Sequence, residues 1–162
     1  LNMKLNSIQS DLDKYDLKIL TELQKNGRIS VADIATKIGL STTPCWRRVQ
    51  RLQNLGIIQS YTAIIDPAVF GLNLDVFIEV SLDLHQAKAF ENAILLRDEI
   101  VECYAITGGQ DYMLHVMVAD IASYDTFLRE EFIHFPGVKR VKTHLSLNPI
   151  KKSKAIMLKK NG

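Results

Sequence analysis

The sequence predicts an α+β chain in two unlike parts, a cluster of three helices followed by a β-α-β-β-α-β sandwich. Apolar residues recur at three- and four-residue steps as far as Gly56, then at every second residue from Leu74. Charge divides along the same line. Residues 1–60 hold nine Lys/Arg against five Asp/Glu, residues 61–150 hold six against thirteen, and the last twelve residues add five lysines. The net charge of +2 therefore hides a cationic part suited to a polyanion and an acidic part that a polyanion would repel.

Residues 1–11 lack periodicity and are expected to be a flexible N-terminus, with Met3 the expected start residue. Leu12, Tyr15, Ile19 and Leu23 then form the apolar stripe of a first helix. Asp13 and Asp16 suit its positive N-terminal end, and Asn26-Gly27 ends it. Ser30 caps a second helix, with Asp33 in its first turn and Ile34, Ala35 and Ile38 facing a core. Gly39 supplies the left-handed residue that stops it. After the Leu40-Ser41 turn, Ser41 and Thr42 are candidate caps of a third helix running to Gly56, in whose first turn Pro44 is tolerated. Cys45, Val49 and Leu52 share one stripe of that helix. Thr43, Trp46, Arg47, Gln50 and Arg51 share the other, flanked by Arg48, with no acid among them.

Residues 12–56 thus read as a winged-type helix-turn-helix. Residues 57–73 read as a β hinge, since Ile57 to Ile65 is rich in β-branched residues and bounded by Gly56 and Asp66-Pro67. A charged helix face is commonly no more than solvated. A capped supporting helix ahead of it is what a recognition helix needs, and this weighs the face toward double-stranded DNA. Arginine neutralises phosphate or grips guanine, while glutamine and threonine reach base edges. The candidate DNA-binding residues are Ser41, Thr42, Thr43, Trp46, Arg47, Arg48, Gln50 and Arg51.

Residues 74–150 make the second part. Val76, Ile78, Val80 and Leu82 face one side of a strand, opposite Phe77, Glu79 and Ser81. A helix over Gln86 to Arg97 buries Ala89, Phe90, Ala93, Ile94 and either Leu95 or Leu96. Strands over Ile100 to Thr107 and Tyr112 to Val118 form a hairpin about Gly108-Gly109-Gln110-Asp111. A helix over Ile121 to Phe135 turns Ile121, Tyr124, Phe127 or Leu128, and Phe132 toward the sheet; Pro136-Gly137 breaks it, and Val138 to Leu147 is a fourth strand. The order is that of a ferredoxin-like sandwich, with helices on one face of an antiparallel sheet. The other face keeps Phe77, Tyr104, Ile106, Met113 and Met117, an apolar patch that a second copy of the chain would cover, so a homodimer through this sheet is expected.

At Leu12 to Leu20, at Leu40-Ser41-Thr42-Thr43-Pro44-Cys45-Trp46-Arg47-Arg48-Val49-Gln50-Arg51-Leu52, at Gly56-Ile57-Ile58, at Thr107 to Tyr112 and at Pro136-Gly137-Val138 the chain resembles the Lrp/AsnC family of prokaryotic transcription factors. The resemblance implies an effector domain that senses an amino acid and assembles into dimers, often an octamer of four dimers. It implies a ligand between subunits, near Gly108 to Asp111 and the strand matching Thr143 to Leu147. The candidate ligand-binding residues are Ala105, Thr107, Gly108, Gly109, Gln110, Asp111, Tyr112, Ile133, Thr143, Leu145 and Ser146. Glycine-turn N–H groups can hold an α-carboxylate, and Asp111 either pairs with an α-ammonium or orders the loop. Gly-Gly is also simply a hairpin turn. Asp111-Tyr112 and Leu145 favour leucine or methionine as effector, although His144 and Ser146 depart from the leucine type.

No other cofactor, metal or catalytic group is expected. The histidines at 85, 115, 134 and 144 have no metal or triad spacing; Cys45 and Cys103 have no CxxC pattern and read as buried thiols. With no apolar run of membrane length and no signal-peptide pattern, a cytoplasmic, nucleoid-associated protein without membrane contact is expected. The basic tail 151–162 either touches DNA or aids solubility. An architectural DNA-wrapping protein without an effector is the alternative to a ligand-modulated regulator.

Overall fold

The computed structural model describes residues 12–153 and 155–158. The stretch expected to be flexible, 1–11, lies outside the described residues, as do Lys154 and 159–162 of the tail. Residues 12–64 together with the described residues from 152 form one compact unit, and residues 65–151 form another.

The first unit holds α1 (Lys14–Lys25), α2 (Val31–Ile38) and α3 (Thr42–Asn54). Asp13 caps α1 in a reciprocal box with Asp16, each carboxylate accepting the other's backbone N–H. Ser30 caps α2 by accepting the Asp33 N–H at 3.0 Å, and Gly39 closes it at φ 75°. Ser41 occupies the cap position of α3 but makes no side-chain cap bond. Ile19, Ile34, Ala35, Ile38, Cys45, Val49 and Leu52 form the buried core, with Leu12, Tyr15 and Leu23 packed half-buried against it. Between α3 and the turn at Pro67–Phe70, residues 57–66 form neither helix nor strand. The β-branched run finds no ladder partner among the described residues. The tail returns to this unit, where the Gln24 amide donates to the Ile156 carbonyl at 3.2 Å and accepts its N–H at 2.7 Å.

The second unit carries β1 (Leu74–Leu82), α4 (Ala87–Ile94), β2 (Ile100–Ala105), β3 (Tyr112–Val118), α5 (Ile121–Thr126) and β4 (Val138–Leu145). The sheet is antiparallel in the order β2-β3-β1-β4, the ferredoxin-like arrangement. Its covered face is a single core of Val76, Ile78, Val80, Leu82, Leu114, Val116 and Val118 under Phe90, Ile94, Tyr124, Phe127, Phe132 and Phe135. The alternation of β3 and β1 places these residues there.

Helix ends depart from the periodic reading. Helix α4 stops at Ile94, and the tighter turn after it leaves both Leu95 and Leu96 82% exposed. Ala89 is exposed as well, and Ala87 and Ala93 pack on the core in its place. The expected helix over 121–135 divides into α5, a π turn at Phe127–Glu131 and a 3-10 turn at Phe132–His134. The change of pitch lets Tyr124, Phe127, Phe132 and Phe135 all reach the sheet. Ile121, in the first turn, is exposed instead of facing the sheet. Strands β2 and β4 each end two residues earlier than the sequence suggests.

Candidate functional site

Helix α3 presents Thr42, Thr43, Trp46 and Arg47 to solvent, and Trp46 is 53% exposed. Arg47 has no ion-pair partner among the described residues. Gln50 donates to Gln53 Oε1 at 3.0 Å, and Gln53 in turn reaches the Tyr61 hydroxyl at 3.4 Å.

No acid stands among these residues on α3, yet the arginines are not unopposed, because Asp13 and Asp16 reach them from α1 and its cap. Arg48 bonds Asp16 Oδ1 at 2.9 Å and Asp13 Oδ2 at 2.8 Å, while Arg51 reaches Asp16 Oδ2 at 3.2 Å. The Arg48 guanidinium also lies 5.5 Å from the centre of the Tyr15 ring. A helical wheel of α3 alone cannot reveal acids delivered by α1 from more than thirty residues upstream. Burial opposes charge on Arg48, yet its bonds to Asp16 and Asp13 outweigh this and hold the guanidinium above its usual pKa. Partial burial likewise works against the Asp13 carboxylate. The N–H groups of Asp16 and Tyr15, with Arg48, hold it below its ordinary value. The signal that points to this clamp is an acid, Asp16, standing within the apolar i, i+3, i+4 stripe of α1.

In the second unit Gly108 and Gly109 take φ of 111° and 112°, which a side chain would resist. The Asp111 carboxylate accepts the Leu82 N–H at 2.7 Å, its N–H donates to the Val80 carbonyl, and Ile106 donates to its carbonyl at 2.9 Å. The first two of these bonds tie the glycine turn to the end of β1. Thr107, Gly108 and Gly109 are exposed, as is Ala105 at the end of β2, and Gln110 Oε1 is buried with no hydrogen-bond partner among the described residues.

Tyr112 does not line this loop. It points into the helix layer beside Phe90 and donates to Glu91 at 2.8 Å, because β3 alternates and its even-numbered residues face the core. Leu145 and Ser146 lie at the far end of β1, Leu145 opposite Val76 and Ser146 bonded to the Asp75 carbonyl. Thr143 pairs with Ile78 and its hydroxyl meets the Tyr124 hydroxyl at 2.5 Å; Ile133 is 46% exposed beyond the π turn. Six residue steps of β1, about 20 Å of strand, separate Val76 from Leu82. One chain therefore does not gather the expected ligand-binding residues into one place.

On the open face of the sheet Phe77 stacks on His115 with ring centres 4.7 Å apart, and His115 bonds Asp75 at 2.7 Å. Tyr104 is 57% exposed and Met113 and Met117 are half-buried. Burial pushes the Cys45 and Cys103 thiols above their usual pKa, so neither is a ready thiolate. Among the described residues no His/Cys/Asp/Glu group could hold a metal ion, and no helix is long and apolar enough to cross a membrane.

A capped helix-turn-helix joined to an acidic α/β sandwich defines a regulator with separate DNA-binding and ligand-binding domains. Residues 12–59 match the winged helix-turn-helix DNA-binding family and residues 75–156 the Lrp/AsnC ligand binding domain. The leucine-responsive regulatory proteins of Escherichia coli K12 and Klebsiella pneumoniae are each 39% identical over 152 residues, 92% of this chain and 93% of theirs. A transcriptional regulator from Neisseria meningitidis, in complex with L-Met, superposes with a TM-score of 0.87 at 31% identity, covering 90% of this chain and 96% of that one. An AsnC family regulator from Agrobacterium tumefaciens gives 0.85 at 35% identity, covering 90% and 97%. The chain belongs to the Lrp/AsnC family, and is a DNA-binding transcriptional regulator rather than a member of an enzyme family.

Proposed function

We propose that this regulator binds DNA sequence-specifically and that leucine or methionine, held between subunits, modulates its assembly or its DNA binding. The observation that carries this is the separation along β1 of the Gly108–Asp111 loop from Leu145 and Ser146. A ligand touching both sets needs the loop of one chain and the strand end of another. The open face with Phe77, Tyr104, Met113 and Met117 supplies the surface for that pairing, and four such dimers form the octamer. The L-Met complex of the Neisseria relative supports methionine. The complex works on the nucleoid in the cytoplasm. Arg47 and Trp46 face the duplex with Thr42, Thr43 and Gln50, and Arg47 meets phosphate.

The mechanism is a shift between assemblies by differential affinity, since a ligand at a subunit seam favours whichever geometry closes that seam. Thermal unfolding with each of the twenty amino acids, followed by light scattering with and without the one that binds, tests it. Stabilisation of about 2.7 kcal/mol is expected at a hundredfold excess over Kd. A dimer that Phe77→Asp disperses is also expected. No shift with any amino acid would leave DNA wrapping without an effector, and a monomer in every condition would remove the shared site.

A further inference from the structure

Asp16 is the one fully buried charged side chain among the described residues, at 0% exposure. Each of its carboxylate oxygens holds an arginine of α3: Oδ1 takes Arg48 and Oδ2 takes Arg51, the latter oxygen also accepting the Asp13 N–H at 3.1 Å. The second nitrogen of Arg48 is taken by Asp13, and its guanidinium carbon lies over the Tyr15 ring. These contacts grip α3 at two points one helical turn apart, on the flank next to Trp46 and Arg47.

A buried acid is a poor choice for stability alone, because an apolar residue of similar volume commonly packs as well. What the acid does that an apolar residue cannot is to fix two guanidinium groups and cancel their charge. We propose that Asp16 is a positioning residue for DNA reading: it sets the rotation of α3 and withholds Arg48 and Arg51 from indiscriminate phosphate contact, leaving recognition to the outward side chains. With Asp13 and Asp16 set against Arg48 and Arg51, the clamp is neutral, and Arg47 is the arginine of α3 outside it. Affinity for any duplex is thereby lowered, and the difference between a right and a wrong sequence raised.

The inference rests on the chain binding DNA, and the wild-type arm tests that separately. Full-length wild type first selects its preferred sequence from duplexes carrying a randomised 20-base-pair centre. Kd is then measured for that duplex and a scrambled one between about 50 and 300 mM salt. Asp16→Asn keeps the shape and removes the charge. Expected are a scrambled-duplex affinity raised threefold or more at low salt, a salt slope steeper by about one, and a selected-to-scrambled ratio reduced at least fivefold. Arg48→Met removes one arm of the clamp, and is expected to reduce the ratio without flattening the slope.

Circular dichroism checks that each variant is folded; should Asp16→Asn fail to fold, Asp16→Leu and Arg48→Met carry the comparison. Equal loss of affinity for both duplexes in the folded variants would make Asp16 merely structural and overturn the proposal. So would an unchanged ratio, or a slope that Arg48→Met flattens by about one, since Arg48 would then be a phosphate ligand. Wild type that binds no duplex would instead remove the DNA-binding reading.

Discussion

Asp111 accepts the backbone N–H of Leu82 at 2.7 Å, tying the glycine turn between β2 and β3 to the end of β1. A carboxylate acceptor on a half-buried amide is among the stronger hydrogen bonds of a fold. Asp111→Ala leaves the Leu82 N–H without its partner and is expected to cost about 1–3 kcal/mol. Asp111→Asn, which keeps an acceptor oxygen, should cost less. Urea denaturation reads this as a lower midpoint at unchanged slope, and on the proposed effector site calorimetry with leucine or methionine should show weaker binding.

Tyr112 donates to Glu91 at 2.8 Å, and this bond, with burial, pushes its phenol up from 10.0 to about 12. The folded pKa lies above the unfolded one, so the stabilisation is complete below pH 10 and is lost as pH rises from 10 toward 12. Absorbance near 295 nm should show one of the five tyrosines ionising last. Tyr112→Phe should remove that step and flatten the alkaline fall in stability over the same window.

How much of this was legible depends on the range of each interaction. Val76, Ile78, Val80 and Leu82 announced β1 by alternation, and Ser30 and Gly39 bracketed α2, because strand facing and caps are decided within a few residues. The Asp16–Arg48 pair was hidden, since it joins residues 32 apart and only the packing of α1 on α3 brings them together. The π turn at Phe127–Glu131 was hidden for a related reason: a pitch change answers the spacing of the sheet beneath it and leaves no local mark. The distance between Leu145 and the glycine loop is likewise illegible in the sequence, because only the register sets Leu145 beside Val76, at the opposite end of β1 from Asp111.

Gly137 sits at φ 76°, where an added Cβ would lie 2.6 Å from Gln86 Cβ, and its carbonyl accepts the Asp83 N–H at 2.8 Å. Gly137→Ala meets both backbone strain and a clash with a Cβ that cannot swing away, an expected loss of about 2–4 kcal/mol. Gly109→Ala meets the strain of positive φ alone, with nothing within 4 Å of the added carbon, and should lose about 1–2 kcal/mol. Parallel urea titrations separate the two: equal losses would show that Gln86 gives way.

The distance along β1 makes a shared effector site testable by mixing. On the proposed shared site, Asp111→Ala damages the loop contributed by one chain and Leu145→Asp the strand end contributed by the other, so each homodimer would carry two defective sites. In a heterodimer of the two variants, one seam collects both lesions and the other collects neither. Unfolding and refolding an equal mixture should therefore restore about a quarter of the wild-type number of sites for the proposed leucine or methionine effector, at wild-type affinity, with neither variant alone binding. Equilibrium dialysis counts those sites directly. No recovery from a mixture shown by mass spectrometry to contain heterodimers would mean that both sets of residues act on ligand within a single chain, contrary to their separation along the strand.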